Sequence, residues 1–274
     1  MDGRLEHLVN VYQHTQNGKT QSLEWLKKPP TEMVFWFDKQ GNMRFSLDNQ
    51  KEVAYSFWLK ESISALYSYF VENDLAECKN IYFKCGRLTE FLTRKYDSGI
   101  LTYGRDHAAY VLLSDNKVLI QSFSSLKFTK HEGKTYQEWV EEGSAASMFL
   151  IQSIIKDDLV GFEQGLHFFT KYSNKNQKMK LDVVFFEAFA NKNKGNMEDI
   201  LSRFVKTGNH SSRNSDPCIS KFISHPAVGY AKLAWLKGIQ VEVDSPLIPK
   251  EWLPIQPLKD EEYIDYDFVK AYLG

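Results

Sequence analysis

The chain has 274 residues, 43% of them hydrophobic and 25% charged, with a net charge of −1. That length suits one large domain or two smaller ones, and the composition is that of a folded soluble protein rather than a disordered one. Near-neutrality excludes a molecule built as a whole to sit on nucleic acid or an anionic membrane; no apolar run approaches the ~20 residues of a membrane span; and the start, MDGRLEHLVN, lacks the basic region and apolar core of a secretory signal, so the chain is expected in the cytoplasm.

Taken in order, Leu5, Leu8, Val9 and Tyr12 predict an amphipathic helix that ends at Asn17-Gly18. A short second helix holds Leu23, Trp25 and Leu26 and stops at Pro29-Pro30. Two apolar arms, Met33 to Phe37 and Met43 to Leu47, flank a polar Lys39-Gln40-Gly41-Asn42 tip and predict a β-hairpin over about residues 32–47. A long helix follows, carrying Val53, Phe57, Leu59, Ile63, Leu66, Tyr67 and Phe70, capped by Asp48 or Asn49. Another carries Leu75, Cys78, Ile81, Tyr82, Leu88, Phe91 and Leu92, with Gly86 as an interruption costing ~1 kcal/mol.

Residues 106–127 read as two shorter helices around Ser114-Asp115-Asn116, and residues 128–144 as a polar irregular stretch anchored by Trp139. Ser144 is expected to cap a helix with Met148, Ile151, Ile154 and Ile155, and Asp157 to start one with Leu159, Phe162, Leu166 and Phe169. A basic loop, SNKNQKMK, leads to an apolar helix with Val183 to Phe186 and Phe189, then to one with Met197, Ile200, Leu201 and Phe204. TGNHSSRNSD reads as a long flexible loop. The fold class is therefore mostly α: an array of antiparallel helix pairs over a single domain, 1–274, with one N-terminal β-hairpin and a short C-terminal extended segment.

The densest agreement of local signals lies between Cys218 and Leu253. Ala227, Val228, Tyr230, Ala231, Ala234 and Trp235 fall at helical spacing, Gly238 sits where a left-handed stop belongs, and Ile239, Val241 and Val243 then alternate with polar residues before Pro246 and Pro249. The run AKLAWLKGIQVEVDSPLIPKEWL resembles the C-terminal signature of the immunity 49 family, helical antidote proteins of bacterial polymorphic toxin systems. The match falls on Ala231, Leu233, Ala234, Lys237, Gly238, Ile239, Val241, Val243, Ser245, Pro249 and Leu253. The resemblance implies a binding protein, not an enzyme, whose partner is a cognate toxin, a basic nuclease or nucleotide-consuming effector of a secretion system such as type VI. The competing reading is a helical scaffold or adaptor with an unrelated protein partner.

Signals for chemistry are sparse. None of the seven histidines has metal-ligand spacing, and phosphate-binding glycine loops and nucleophile elbows are absent, so no cofactor and no metal is expected. Arg105-Asp106-His107 is the one acid/base grouping, but adjacent residues of a helix point in different directions. A deep pocket lined by Asp106, His107 and other perturbed groups would favour an enzyme instead. Cys78, Cys85 and Cys218 read as reduced, buried thiols.

The sharpest charge signal is the end: from Gln240 to Gly274 eight acids face three lysines, a net −5. Within it Asp260, Glu261, Glu262, Tyr263, Asp265, Tyr266 and Asp267 are the candidate partner-binding residues, an acidic and aromatic face suited to a basic partner. Acids at the first turn of a solvated terminal helix are the competing account. Reversing Glu261, Glu262 and Asp265 to lysine is expected to slow partner association.

Overall fold

The computed structural model describes residues 2–26, 34–37, 43–46, 50–102 and 104–274. Helices carry the fold: α1 (Gly3–Leu26), α2 (Gln50–Phe70), α3 (Leu75–Tyr96), α4 (Arg105–Leu113), α5 (Lys117–Ser124), α6 (Tyr136–Glu142), α7 (Ala146–Lys156), α8 (Leu159–Lys175), α9 (Lys180–Ala190), α10 (Lys194–Phe204), α11 (Thr207–Ser211), α12 (His225–Leu236) and α13 (Asp267–Leu273). Helices consecutive in sequence pack on one another: α1 on α2, α2 on α3, α7 on α8, α8 on α9 and α9 on α10. Short turns join α2 to α3, α7 to α8, α8 to α9 and α9 to α10, and impose the antiparallel pairing expected of such arrays.

Side chains cap these helices where the sequence supplies the right oxygen. Asp74, Asn116, Asp158 and Asn193 each accept a hydrogen bond from the backbone N–H three residues on, at the starts of α3, α5, α8 and α10. Thr135 and Glu138 form a reciprocal capping box at α6. Gly238 takes φ +79° after α12, as a left-handed stop requires.

The centre of the molecule is α12. His225 to Ala234 are all buried, so this helix is wrapped on every side. Its principal partner is α4, across more than 100 residues of sequence, and the two approach closely because Gly229 has no side chain: a Cβ there would stand 3.0 Å from the Ala109 Cβ. Beyond α12 the expected extended segment forms no strand: the backbone is irregular, with the Val241 N–H donating to the Ile239 carbonyl and the Ser245 N–H to the Val243 carbonyl. Val241 and Val243 point into the core while Gln240 and Glu242 are exposed, and the Trp235 indole donates to the Val241 carbonyl at 2.9 Å.

The expected fold is mostly α, and that holds, but several details are corrected. The N-terminal hairpin is not a structural layer of this fold. The backbone of Val34–Phe37 (β1) and Met43–Ser46 (β2) pairs antiparallel over four positions, Val34 opposite Ser46 to Phe37 opposite Met43, while the rest of 32–47 lies outside the described residues. A ribbon that short has no independent stability, and the architecture is helix on helix. The expected caps at Asp48 and Asn49 also lie outside the described residues.

A glycine misleads in one helix. α1 runs through Gly18 to Leu26 as one helix, with Lys60 of α2 lying over Gly18 and donating to its carbonyl at 3.2 Å. α3 runs through Gly86 as one helix, as expected, and the missing side chain there makes room for Leu119 of α5 and Val111 of α4.

The remaining corrections concern caps and loops. The cap of α7 is Ala145, and Asp157 ends that helix in a left-handed conformation while Asp158 starts the next. The stretch 128–144 contains α6, pinned by the Trp139 indole on the His131 carbonyl at 3.0 Å. The supposed loop 207–216 contains α11 and, as shown below, buried polar contacts. The three cysteines are free and buried, as expected, and burial pushes their thiols up.

Candidate functional site

The start of α4 is where polar side chains from distant segments converge. Gly104 precedes the helix without a side-chain cap, and a Cβ at this position would meet the Ile100 carbonyl at 2.4 Å, so only glycine lets the Gly99–Thr102 turn fold back so tightly. The next three residues diverge, as helix geometry demands. Arg105 reaches inward to Asp182 of α9 at 3.0 Å, Asp106 caps the backbone N–H of His107 at 3.0 Å, and His107 stacks on Trp58 of α2 with ring centroids 4.0 Å apart.

Asp182 is fully buried and is satisfied from three sides. Arg105 and the Tyr230 hydroxyl (2.9 Å) donate to one carboxylate oxygen, and Arg213 donates to the other at 3.1 Å. Burying a carboxylate is costly unless its oxygens are hydrogen-bonded, and here both are. Arg213 belongs to the segment read as a flexible loop; its neighbour Asn214 accepts from the His225 backbone at 2.9 Å and donates to the His210 carbonyl at 2.9 Å.

Around this hub lie two adjacent chambers. One, of about 210 Å³, is bounded by Tyr55, Trp58, Arg105, Asp106, Arg213, Asp216 and His225 among others. The other, of about 390 Å³, is bounded by Tyr55, Ser98, Gly104, Asp106, His107 and His131 among others. Tyr55 and Asp106 form the shared wall.

Burial holds His107 and His225 below the ordinary histidine range, so both are neutral near pH 7. His225 meets the Tyr110 hydroxyl at 2.7 Å. The Thr89 hydroxyl lies 3.0 Å from the Cys85 carbonyl and 2.7 Å from His107 Nδ1. The hydroxyl has one proton to give, and the tautomer of the ring decides which of the two receives it. Burial, with Asp106 second, also raises the Tyr55 hydroxyl. Two neutral histidines, two carboxylates and two guanidiniums about one cleft form an arrangement that sequence spacing does not reveal. Only the 105–107 triplet was visible there; Trp58, Arg213, Asp216 and His225 are brought in by the fold.

The candidate partner-binding residues at the chain end divide into two groups. Asp260, Glu261, Glu262 and Asp267 are exposed. Asp265 is buried and paired with Arg87 of α3 at 2.8 Å. The Tyr266 hydroxyl bonds the buried Glu61 of α2, and that of Tyr263 donates to the Ser114 carbonyl at 2.9 Å. These three residues fasten the chain end to the body, so reversing Asp265 would tear an internal contact. The residues at 260–262 form a 3₁₀ turn rather than the start of a terminal helix.

A third feature is an apolar groove of about 490 Å³ lined by Ile154, Leu159, Phe162, Leu166, Phe189 and Ile239, with Leu159 and the adjacent Val160 of α8 strongly exposed. Among the described residues no group of three or more His, Cys, Asp or Glu side chains is placed to hold a metal ion, and no helix is long and apolar enough to cross a membrane.

No curated protein and no solved structure matches the chain. Residues 128–252, a little under half of it, match the model of the family described as Immunity protein 49, and the resemblance read from the helix at 227–236 and its proline-marked exit is thereby shown over that stretch.

Proposed function

We propose that this chain is an immunity protein that binds a cognate toxin in the cytoplasm and neutralises it by covering its active site or another surface the toxin needs. The family match over residues 128–252 carries this reading. In this reading the protein acts as a binder rather than a catalyst, and its toxin is an effector delivered by a system such as type VI secretion. The chain acts as a single domain over 1–274, a reading supported by buried ion pairs that join Arg105 to Asp182 and Asp115 to Lys232 across the start of the matched region.

For the docking face we propose the exposed acids at the chain end, Asp260, Glu261, Glu262 and Asp267, flanked by the half-buried Tyr263. Their negative charge suits a basic toxin and would accelerate encounter. The test is to coexpress the chain with the toxin domain encoded beside it and score rescue of growth, then to measure association kinetics. Asp260→Lys, Glu261→Lys and Glu262→Lys together are expected to slow association about tenfold at low salt and to flatten its salt dependence. Unchanged kinetics in the folded triple variant would place the docking face elsewhere; absence of rescue by the unmodified chain would overturn the immunity reading itself.

A further inference from the structure

The cleft at the start of α4 has no task in toxin docking through the chain end, yet its polar groups are left incompletely used. Asp106 spends one carboxylate oxygen on the His107 N–H, and Asp216 spends one on the N–H groups of Cys218 and Ile219, both at 2.8 Å. Among the described residues neither acid enters an ion pair. Arg105 engages Asp182 and the Met179 sulfur through Nη1 alone, leaving Nε and Nη2 without a protein acceptor among the described residues. Trp58, 1% exposed, lines the cleft, and its buried indole N–H has no partner among the described residues. Buried donors are nearly always satisfied, so a donor on a residue of the cavity lining without a described partner is suited to an acceptor that enters the cavity.

The chambers have the scale of a metabolite rather than of a protein segment. Both signs of charge are on offer. Arg105 and Arg213 stand against Asp182, Asp106 and Asp216, one charge net negative, so a simple anion is disfavoured. A simple cation would leave the Trp58 N–H and the spare Arg105 donors unused. Tyr55 and Trp58 lie nearly parallel, 11° apart with centroids at 5.9 Å, and give the carbon skeleton of a ligand an apolar wall.

We propose that this cleft binds a small zwitterion of amino-acid type, its ammonium held by the carboxylates of Asp106 and Asp216 and its carboxylate by Arg105 and the Trp58 indole N–H. The site is independent of the toxin-binding reading and goes beyond it.

The test uses the purified full chain and a panel of free amino acids, with propylamine and propionate as single-charge comparators, read by thermal midpoint and calorimetric titration. At least one amino acid is expected to bind at one site and raise the midpoint, with each comparator at least about tenfold weaker. Asp106→Asn and Asp216→Asn keep the capping oxygen and are each expected to weaken binding about tenfold. Trp58→Phe keeps the ring stacked on His107 and is expected to weaken it severalfold. Midpoints of the unliganded variants show that they fold; should Asp216→Asn fail to, Asp106→Asn and the comparators decide. No binding by any amino acid at about 10 mM would overturn the proposal. So would binding that all three substitutions leave intact, or comparators as tight as the zwitterion. Growth rescue by the toxin assay is scored separately and is expected to be unchanged by Trp58→Phe.

Discussion

His107 and His225 are both buried and both kept neutral, and their protonation ties the fold to pH. In the unfolded chain a histidine takes up its proton near pH 6.5. In the folded chain it does so only at lower pH, so between those values the unfolded state holds more protons. Stability from this source is complete above about pH 6.5 and is lost as pH falls through the folded values. The thermal midpoint is therefore expected to be level between about pH 7 and 8 and to drop below about pH 6.5, and the drop should shrink in His107→Gln and in His225→Gln. An identical acid limb in both variants would assign it to other groups.

At the scale of elements, α4 and α12 set the position of the cleft, and Gly229 sets the distance between them. Gly229→Val would push against the Ala109 backbone, whose Cα lies 3.3 Å from the new Cβ position, and is expected to destabilise the protein by about 2–3 kcal/mol in urea unfolding. The same glycines show where the sequence was legible and where it was not. Apolar spacing located the long helices and the stop at Gly238, because those depend on neighbours within a few residues. Asn17-Gly18 predicts a helix end and Gly86 a local cost inside one helix, since local propensity is all that a sequence displays. What keeps those helices whole is Lys60 against Gly18, and Leu119 and Val111 against Gly86, contacts between helices that no local pattern encodes. Likewise, the polar run at 207–216 has the composition of a loop, and it is the distant, buried Asp182, with the Lys178 carbonyl and the Phe204 ring, that gives Arg213 a reason to be ordered.

For the molecule as a whole, the segment 250–274 acts as a strap over the helices that precede it by more than 150 residues. Lys232, fully buried, pairs with Asp115 at 2.7 Å and donates to the carbonyls of Trp252 and Pro254. Lys79 pairs with the same carboxylate at 2.9 Å and donates to the Gln256 carbonyl at 2.6 Å. Burial, opposed by Asp115, brings Lys232 down to about 8, so it is still largely charged at neutral pH. Lys232→Met removes one of two cations from a buried carboxylate and is expected to cost about 3 kcal/mol and to expose the strap to protease. Equilibrium unfolding and limited digestion report the two effects; the double variant Lys232→Met, Asp115→Asn should recover part of the loss. Acids farther along the strap are used in the same way, which is why Asp265 is closed to a partner while Asp260 to Glu262 remain open.

The crossing of α4 and α12 also bears on attempts to isolate the family-matched stretch. A fragment cut to residues 128–252 would keep α12 but lose the helix that covers it. Asp182 would part from Arg105, Lys232 from Asp115, and the seam at Gly229 would face solvent as a strip of small apolar side chains. The recognisable portion of this chain is thus a dependent half, and grafting or minimising it has to carry the segment 79–115 along.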